Sequence, residues 1–305
     1  MKLPICLLLA LSPALASPAA NLPSGAPVGL KLQLVPEVSH IQPGTPFRAG
    51  LFLQHEPGYH TYWSTPGIVG VATALEWKLD AGWKASPLEF PEPERVLMFD
   101  IKAQGYERDV LLQCEITPPA DLPVGQPITL TAKAVWMACA RTCHPGVQDL
   151  HLTLPVSAAA PAADAQWAPI FAKERAARTG STEAWRAEVS QRDATQVTLD
   201  FHPLSPNARA LTPAEVAEVI FFTDDAWIHT DLPQTSELLA DGTVRLHLPI
   251  SDGYFGDQPT DLVGVLQLDG GWEKSGSGAR SVRFRAALPP ASAAEPEHDK
   301  AAPKS

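Results

Sequence analysis

Apolar residues recur at every second position along much of the chain, which is the pattern of short half-buried β-strands. The clearest pair lies near the middle. Ile128, Leu130, Ala132 and Ala134 alternate with Thr129, Thr131 and Lys133, and Leu150, Leu152 and Leu154 alternate with Asp149, His151 and Thr153. Earlier strands are predicted at Leu30–Leu34, Phe47–Leu53, Leu75–Leu79, Leu88–Phe90 and Val110–Ile116. Later ones fall at Val197–Phe201, Val219–Phe221, Val244–Leu248, Val263–Val265 and Val282–Phe284. One short helix is expected over Trp167–Arg178, with Trp167, Ile170, Phe171 and Ala177 on its apolar side and Gly180 as its stop. The 305 residues suffice for about two domains, and 31 prolines with 20 glycines suit many turns between short strands. The pattern predicts an all-β protein of two sandwich domains in tandem.

Composition sets the expected boundaries. Lys2, the apolar run Leu3–Leu11 and Ala14-Leu15-Ala16 read as a secretory signal over residues 1–16, cleaved before Ser17. Residues 17–29 form a Pro/Ala/Gly-rich leader. The first domain is expected over 30–156, an Ala/Pro linker over 157–166, the second domain over 167–288 and a disordered tail over 289–305. No later stretch approaches the ~18 apolar residues that a spanning helix needs. The mature chain is therefore expected to be exported into a compartment that permits disulfides. Cys6 leaves with the signal, so Cys114, Cys139 and Cys143 remain, an odd number. Cys114 shares the inward face of its strand with Leu112 and Ile116 and is expected to be a silent core thiol.

Cys139 and Cys143 hold the candidate chemistry. On one straight strand their Cα atoms would be ~13 Å apart, whereas a disulfide tolerates about 4.4–6.8 Å. Either the chain reverses between them or they never bond, and the breakers His144-Pro145-Gly146 favour reversal. Three uses of the pair are open. It could be a structural bridge, although so short a loop removes little entropy from the unfolded chain. It could be a soft-metal site, with Met137, Cys139, Cys143 and His144 offering thioether, thiolate and imidazole to Cu(I). Or it could cycle between dithiol and disulfide, with Arg141 and His144 stabilising the thiolate that attacks.

The stretch W-M-A-C-A-R-T-C-H-P-G, with H-E-P-G-Y-H-T-Y-W (His55–Trp63) and Y-E-R-D-V-L-L (Tyr106–Leu112), resembles the N-terminal periplasmic domain of DsbD-type thiol–disulfide interchange proteins. The three-residue gap between the cysteines is similar to the ScsB branch, linked to copper tolerance, and Trp167–Leu288 is similar to the second domain of ScsB-type ectodomains. The resemblance implies immunoglobulin-like folds and a cysteine pair that passes electrons between a membrane-embedded reductase, or a thioredoxin-like donor, and periplasmic acceptors. It implies that Cys143 is the nucleophile and Cys139 the resolving cysteine. It also implies that Tyr59 and Tyr62 line the site and that Phe99, on the apolar loop Arg95–Gly105, caps it. DsbD and ScsB proteins continue into membrane-spanning and thioredoxin-like domains that this sequence lacks, so reduction by a separate partner is expected, with no cofactor required.

Other classes have little support. Neither a phosphate-binding glycine loop, a nucleophile elbow nor a zinc-protease helix is present. A net charge of −11 argues against nucleic acid or an anionic membrane surface as partner.

Overall fold

The computed structural model describes residues 27–254, 256–274 and 279–290. The predicted signal peptide, most of the leader and the tail beyond residue 290 lie outside the described residues.

The first half of the chain forms β1 (Leu30–Pro36), β2 (Phe47–His55), β3 (Thr61–Tyr62), β4 (Ala74–Lys78), β5 (Lys84–Ala85), β6 (Glu94–Met98), β7 (Ile101–Tyr106), β8 (Val110–Thr117), β9 (Ile128–Cys139) and β10 (Cys143–Leu154). Helix α1 (Ala168–Ala176) follows. The second half holds β11 (Trp185–Arg192), β12 (Gln196–Pro203), the short α2 (Pro213–Val216), β13 (Ile220–Thr223), β14 (Thr235–Leu238), β15 (Val244–Pro249), β16 (Asp261–Gln267) and β17 (Ser281–Ala287).

Two immunoglobulin-like sandwiches result. In the first, the antiparallel sheet β1-β2-β8-β5 faces the sheet β10-β9-β4. Alternation decides which residues meet: Leu51 and Leu53 of β2, Leu112 and Ile116 of β8, and Leu130, Ala132, Ala134 and Trp136 of β9 share one buried core. Cys114 lies in that core, fully buried and unbridged. In the second, β11-β12-β15-β14 faces β13-β16-β17 around Leu199, Phe201, Leu246, Leu248, Trp227 and Trp272.

A third sheet, β3-β7-β6, stands outside both sandwiches and between them. It occupies the stretch expected to be an apolar loop. β6 and β7 form a tight hairpin, with Val96 opposite Ala103 and Met98 opposite Ile101. Phe99 sits at its tip with φ 55°, in the left-handed region that bulky residues seldom adopt.

The connection between the sandwiches departs from expectation. Residues 157–166, linker-like in composition, are laid along the first domain. Ser157 N donates to Ile41 O (2.9 Å), Ser39 N to Ala162 O (2.9 Å) and Asp164 N to Glu37 O (2.8 Å). Small Ala and Pro side chains let this backbone lie close enough to pair. Helix α1, expected to open the second domain, packs on the first. Trp167 and Phe171 bury Val35 and Leu111 on the outer face of the β1-β2-β8 sheet, and Trp167 meets Phe52 edge-on at 5.3 Å. Buried Glu174 accepts from Arg108 at 3.0 Å.

Candidate functional site: the cysteine pair under the third sheet

Strands β9 and β10 run in register along their whole length, from Ile128 opposite Leu154 to Cys139 opposite Cys143. The reversal occupies Ala140-Arg141-Thr142. His144-Pro145-Gly146, expected to help the chain turn, instead begin β10, opposite Ala138, Met137 and Trp136. Gly146 is needed for space, because the Trp136 indole lies where a Cβ would be.

The backbone explains how the sulfurs meet. Cys139 N donates to His60 O, and His60 N donates to Cys139 O, both at 2.9 Å. The polar groups of Cys139 therefore point away from β10, which makes Cys139 and Cys143 a non-hydrogen-bonded pair. In antiparallel sheets that is the close kind of pair. Their Cα atoms lie 4.1 Å apart and the sulfurs are bonded.

The pleat determines the chemistry's surroundings. Leu130, Ala132, Ala134, Trp136 and Ala138 point into the sandwich, so Met137, Cys139 and Cys143 point out of it. Even so, Cys139 has no exposed surface, because Tyr62, Val96 and Ala103 cover it, with Val69 and Met137 beside them. Val96 and Ala103 come from the β6–β7 hairpin. Cys143 remains partly exposed. Cys139 is sealed, whereas Cys143 is only partly buried.

The other expected site residues divide between the two faces. Tyr62 is fully buried against Cys139. Tyr59 packs on the sandwich core, near His144, with ring centroids 6.1 Å apart. His144 lies opposite Ala138 and so on the face away from both sulfurs, with Nε2 2.9 Å from Thr142 Oγ1. The set of soft donors expected from the sequence is therefore split, with Met137 alongside the cysteines and His144 turned from them. Among the described residues, no group of three or more His, Cys, Asp or Glu side chains converges to hold a metal. Arg141 is exposed in the turn. Phe99 is 65% exposed at the hairpin tip, which makes it neither core nor part of the apolar cluster around Cys139.

His60 is the site residue that the sequence reading missed. It pairs directly with Cys139, and opposite residues of an antiparallel pair share a face, which brings its side chain beside the sulfur. The ring is 2% exposed, and Nε2 lies 3.3 Å from Tyr62 Oη. Burial, with a smaller contribution from His55, pushes the imidazole down to about 4, while burial pushes the Tyr62 phenol up to about 12. Both are neutral near pH 7. The signal was present in His60-Thr61-Tyr62, where alternation puts positions 60 and 62 together on one face.

Residues 31–155 match the family model of the thiol:disulfide interchange protein DsbD, N-terminal. Over that span the first domain is similar to a DsbD-type N-terminal domain. The tandem arrangement is similar to that of the N-terminal periplasmic domain of ScsB from Proteus mirabilis, at 16% identity and a TM-score of 0.56, covering 88% of this chain and 97% of that one. The DsbD N-terminal domain of Neisseria meningitidis in its reduced form also matches, at 16% identity, over 40% of this chain and 84% of that one, with a TM-score of 0.22. No curated protein sequence matches. That similarity is consistent with thiol–disulfide interchange and with the bridged pair of the first domain. Among the described residues, no helix is long and apolar enough to cross a membrane.

Proposed function

We propose that the protein is a periplasmic thiol–disulfide exchange component that passes electrons through Cys139 and Cys143, from a membrane-embedded or thioredoxin-like donor to periplasmic acceptors. The observation that carries this reading is the asymmetry of the pair: Cys139 is sealed and Cys143 is partly open, on a hairpin face outside the core. A bridge serving only stability has no need of an outward face with its own cover.

The donor's thiolate attacks Cys143 Sγ, and the Cys139–Cys143 bond breaks. Cys139 Sγ leaves with the electron pair and takes up a proton, because a bare thiolate is costly among Val96, Ala103 and Tyr62. The donor's second thiolate then attacks its own sulfur in the mixed disulfide and releases Cys143. The donor ends oxidised to a disulfide, and the pair has gained two electrons and two protons. Reduction of an acceptor disulfide runs the same steps in reverse, with Cys143 attacking and Cys139 resolving. Tyr62 and His60 are the polar groups beside the departing sulfur, and Phe99 at the hairpin tip is placed to meet whatever lifts the cover.

An anaerobic titration in thiol–disulfide buffers, with alkylation and mass mapping, tests this reading. The expected result is one reversible two-electron transition confined to Cys139 and Cys143. Cys139→Ser should accumulate a mixed disulfide with a thioredoxin-fold donor, and Cys143→Ser should form none. A bridge that no dithiol donor reduces until the chain is unfolded refutes the exchange reading.

A further inference from the structure

The β6–β7 hairpin is buried on its inner face and partly covered on its outer one. Its inner face, Val96 and Ala103, seals Cys139. Its outer face carries Arg95, Leu97, Lys102 and Gln104, and there the second domain meets it.

Gln104 is the centre of that contact. Its side-chain amide donates from Nε2 to Thr223 O (2.9 Å) and Thr65 O (2.6 Å), and Oε1 accepts from Thr223 N (2.8 Å). It is 3% exposed, so no water replaces these partners readily. In effect one side chain extends the backbone pairing of β13 towards β7. Further along the hairpin, Lys102 N donates to Asp231 Oδ1 (2.9 Å), Lys102 Nζ to Asp231 O (3.2 Å) and Thr230 Oγ1 to Lys102 O (3.2 Å). At the hairpin's base, Ser281 Oγ donates to Glu92 Oε2 (2.5 Å) and Gln267 Nε2 to Pro93 O (3.4 Å). The second domain thus grips the cover at its base and along β7. Its tip, Met98 to Asp100, makes none of these contacts.

We propose that the second domain acts as the fixed support of the cover, setting how often β6–β7 lifts from Cys139 and so how readily the pair reacts. The proposal deepens the exchange reading and rests on it for its biological purpose. Its physical basis is the second-domain loops 223–231 bonded to the hairpin whose other face seals the sulfur. Lifting the cover without moving the second domain breaks the Gln104 and Lys102 bonds. A partner must therefore either open those bonds or draw both parts aside together.

The full chain with Gln104→Ala, and separately with Asp231→Ala, tests this inference. Amide hydrogen exchange reads the motion of the cover, and the rate of iodoacetamide alkylation of the dithiothreitol-reduced pair reads access to the sulfurs. Gln104→Ala should speed exchange of β6 and β7 amides relative to β9 and β10. It should also raise the alkylation rate of Cys139 about tenfold, equivalent to about 1.4 kcal/mol of cover stability. Asp231→Ala should act in the same direction with a smaller effect, and it decides the matter if Gln104→Ala does not fold. Unchanged alkylation in both variants overturns the proposal, whether the cover amides exchange faster or not. Alkylation needs no protein partner. Faster alkylation in the variants of a protein that is inert to every dithiol donor would sustain the support and refute the exchange reading.

Discussion

Gly146 offers a test in which general propensity and this structure predict opposite signs. Its φ lies outside the left-handed region, so alanine fits the backbone there. Replacing glycine by alanine within a strand ordinarily stabilises by about 0.4–1 kcal/mol, through the entropy of the unfolded chain. Here the added Cβ would overlap Cζ2 and Cε2 of Trp136 and sit 2.9 Å from Cη2. That indole is 3% exposed within the first core, and it is a rigid ring with no flexible end to swing aside. Forcing extra volume into a packed core costs about 1–3 kcal/mol. The clash outweighs the entropic gain, and Gly146→Ala should destabilise by about 1–2 kcal/mol. Urea denaturation should show a lower midpoint at unchanged slope, with a shift in native tryptophan emission. Gly253→Ala is the control, because a Cβ there meets nothing within 4 Å and φ is again unexceptional. It should be neutral or slightly stabilising. Trp136→Phe, which removes the overlapping ring atoms, should cost less in the Gly146→Ala background than alone. If Gly146→Ala matches the Gly253 control, the glycine is not there to clear the indole and the argument fails.

Two further outcomes follow from buried groups. Burial pushes the Cys114 thiol up to about 11, so native protein at pH 8 should leave it unlabelled by maleimide, and labelling should need concentrated guanidinium; rapid native labelling, or a bridge from Cys114 to either partner, contradicts the fold. His60 is held near 4 in the folded protein against about 6.5 unfolded, so the unfolded chain binds more protons between those values. The stabilising contribution is complete above about pH 6.5 and is lost as pH falls towards 4, by up to about 3 kcal/mol before relaxation of the site reduces it. Urea midpoints of wild type and His60→Gln at pH 7 and pH 4.5 should show a shallower pH dependence in the variant, and equal dependence would mean that His60 is not the buried titrating group.

How much could be read from the sequence depended on whether a strand has one buried face or two. β9 and β10 bury a single face of the sandwich, so Leu130-x-Ala132-x-Ala134 and Leu150-x-Leu152-x-Leu154 display the period plainly. β7 is buried on both sides. Ala103 faces the sulfur, Gln104 faces the second domain, and Gly105 and Tyr106 are enclosed as well, so no alternation survives. The hairpin therefore looked like an aperiodic apolar loop. β11 is a different case, since Trp185, Ala187 and Val189 alternate with Arg186, Glu188 and Ser190, yet it is absent from the expected strands. At the site, spacing told of a reversal between the cysteines but not of its register. The register is what turns His144 away and brings in His60, and it depends on which backbone groups of Cys139 are already engaged.

The seating of α1 bears on where the first domain can be cut. The family match stops at residue 155, and the Ala/Pro stretch after it invites truncation there. A chain ending at that point would lose the Glu37–Ile41 hydrogen-bond partners and leave Val35, Phe52 and Leu111 bare to water on the back of the β1-β2-β8 sheet. Adjacent apolar side chains on a sheet face are a self-association hazard. The smallest well-behaved fragment thus extends to the end of α1, near Ala177. A protease directed at 157–166 would meet backbone already paired in place, not a free tether.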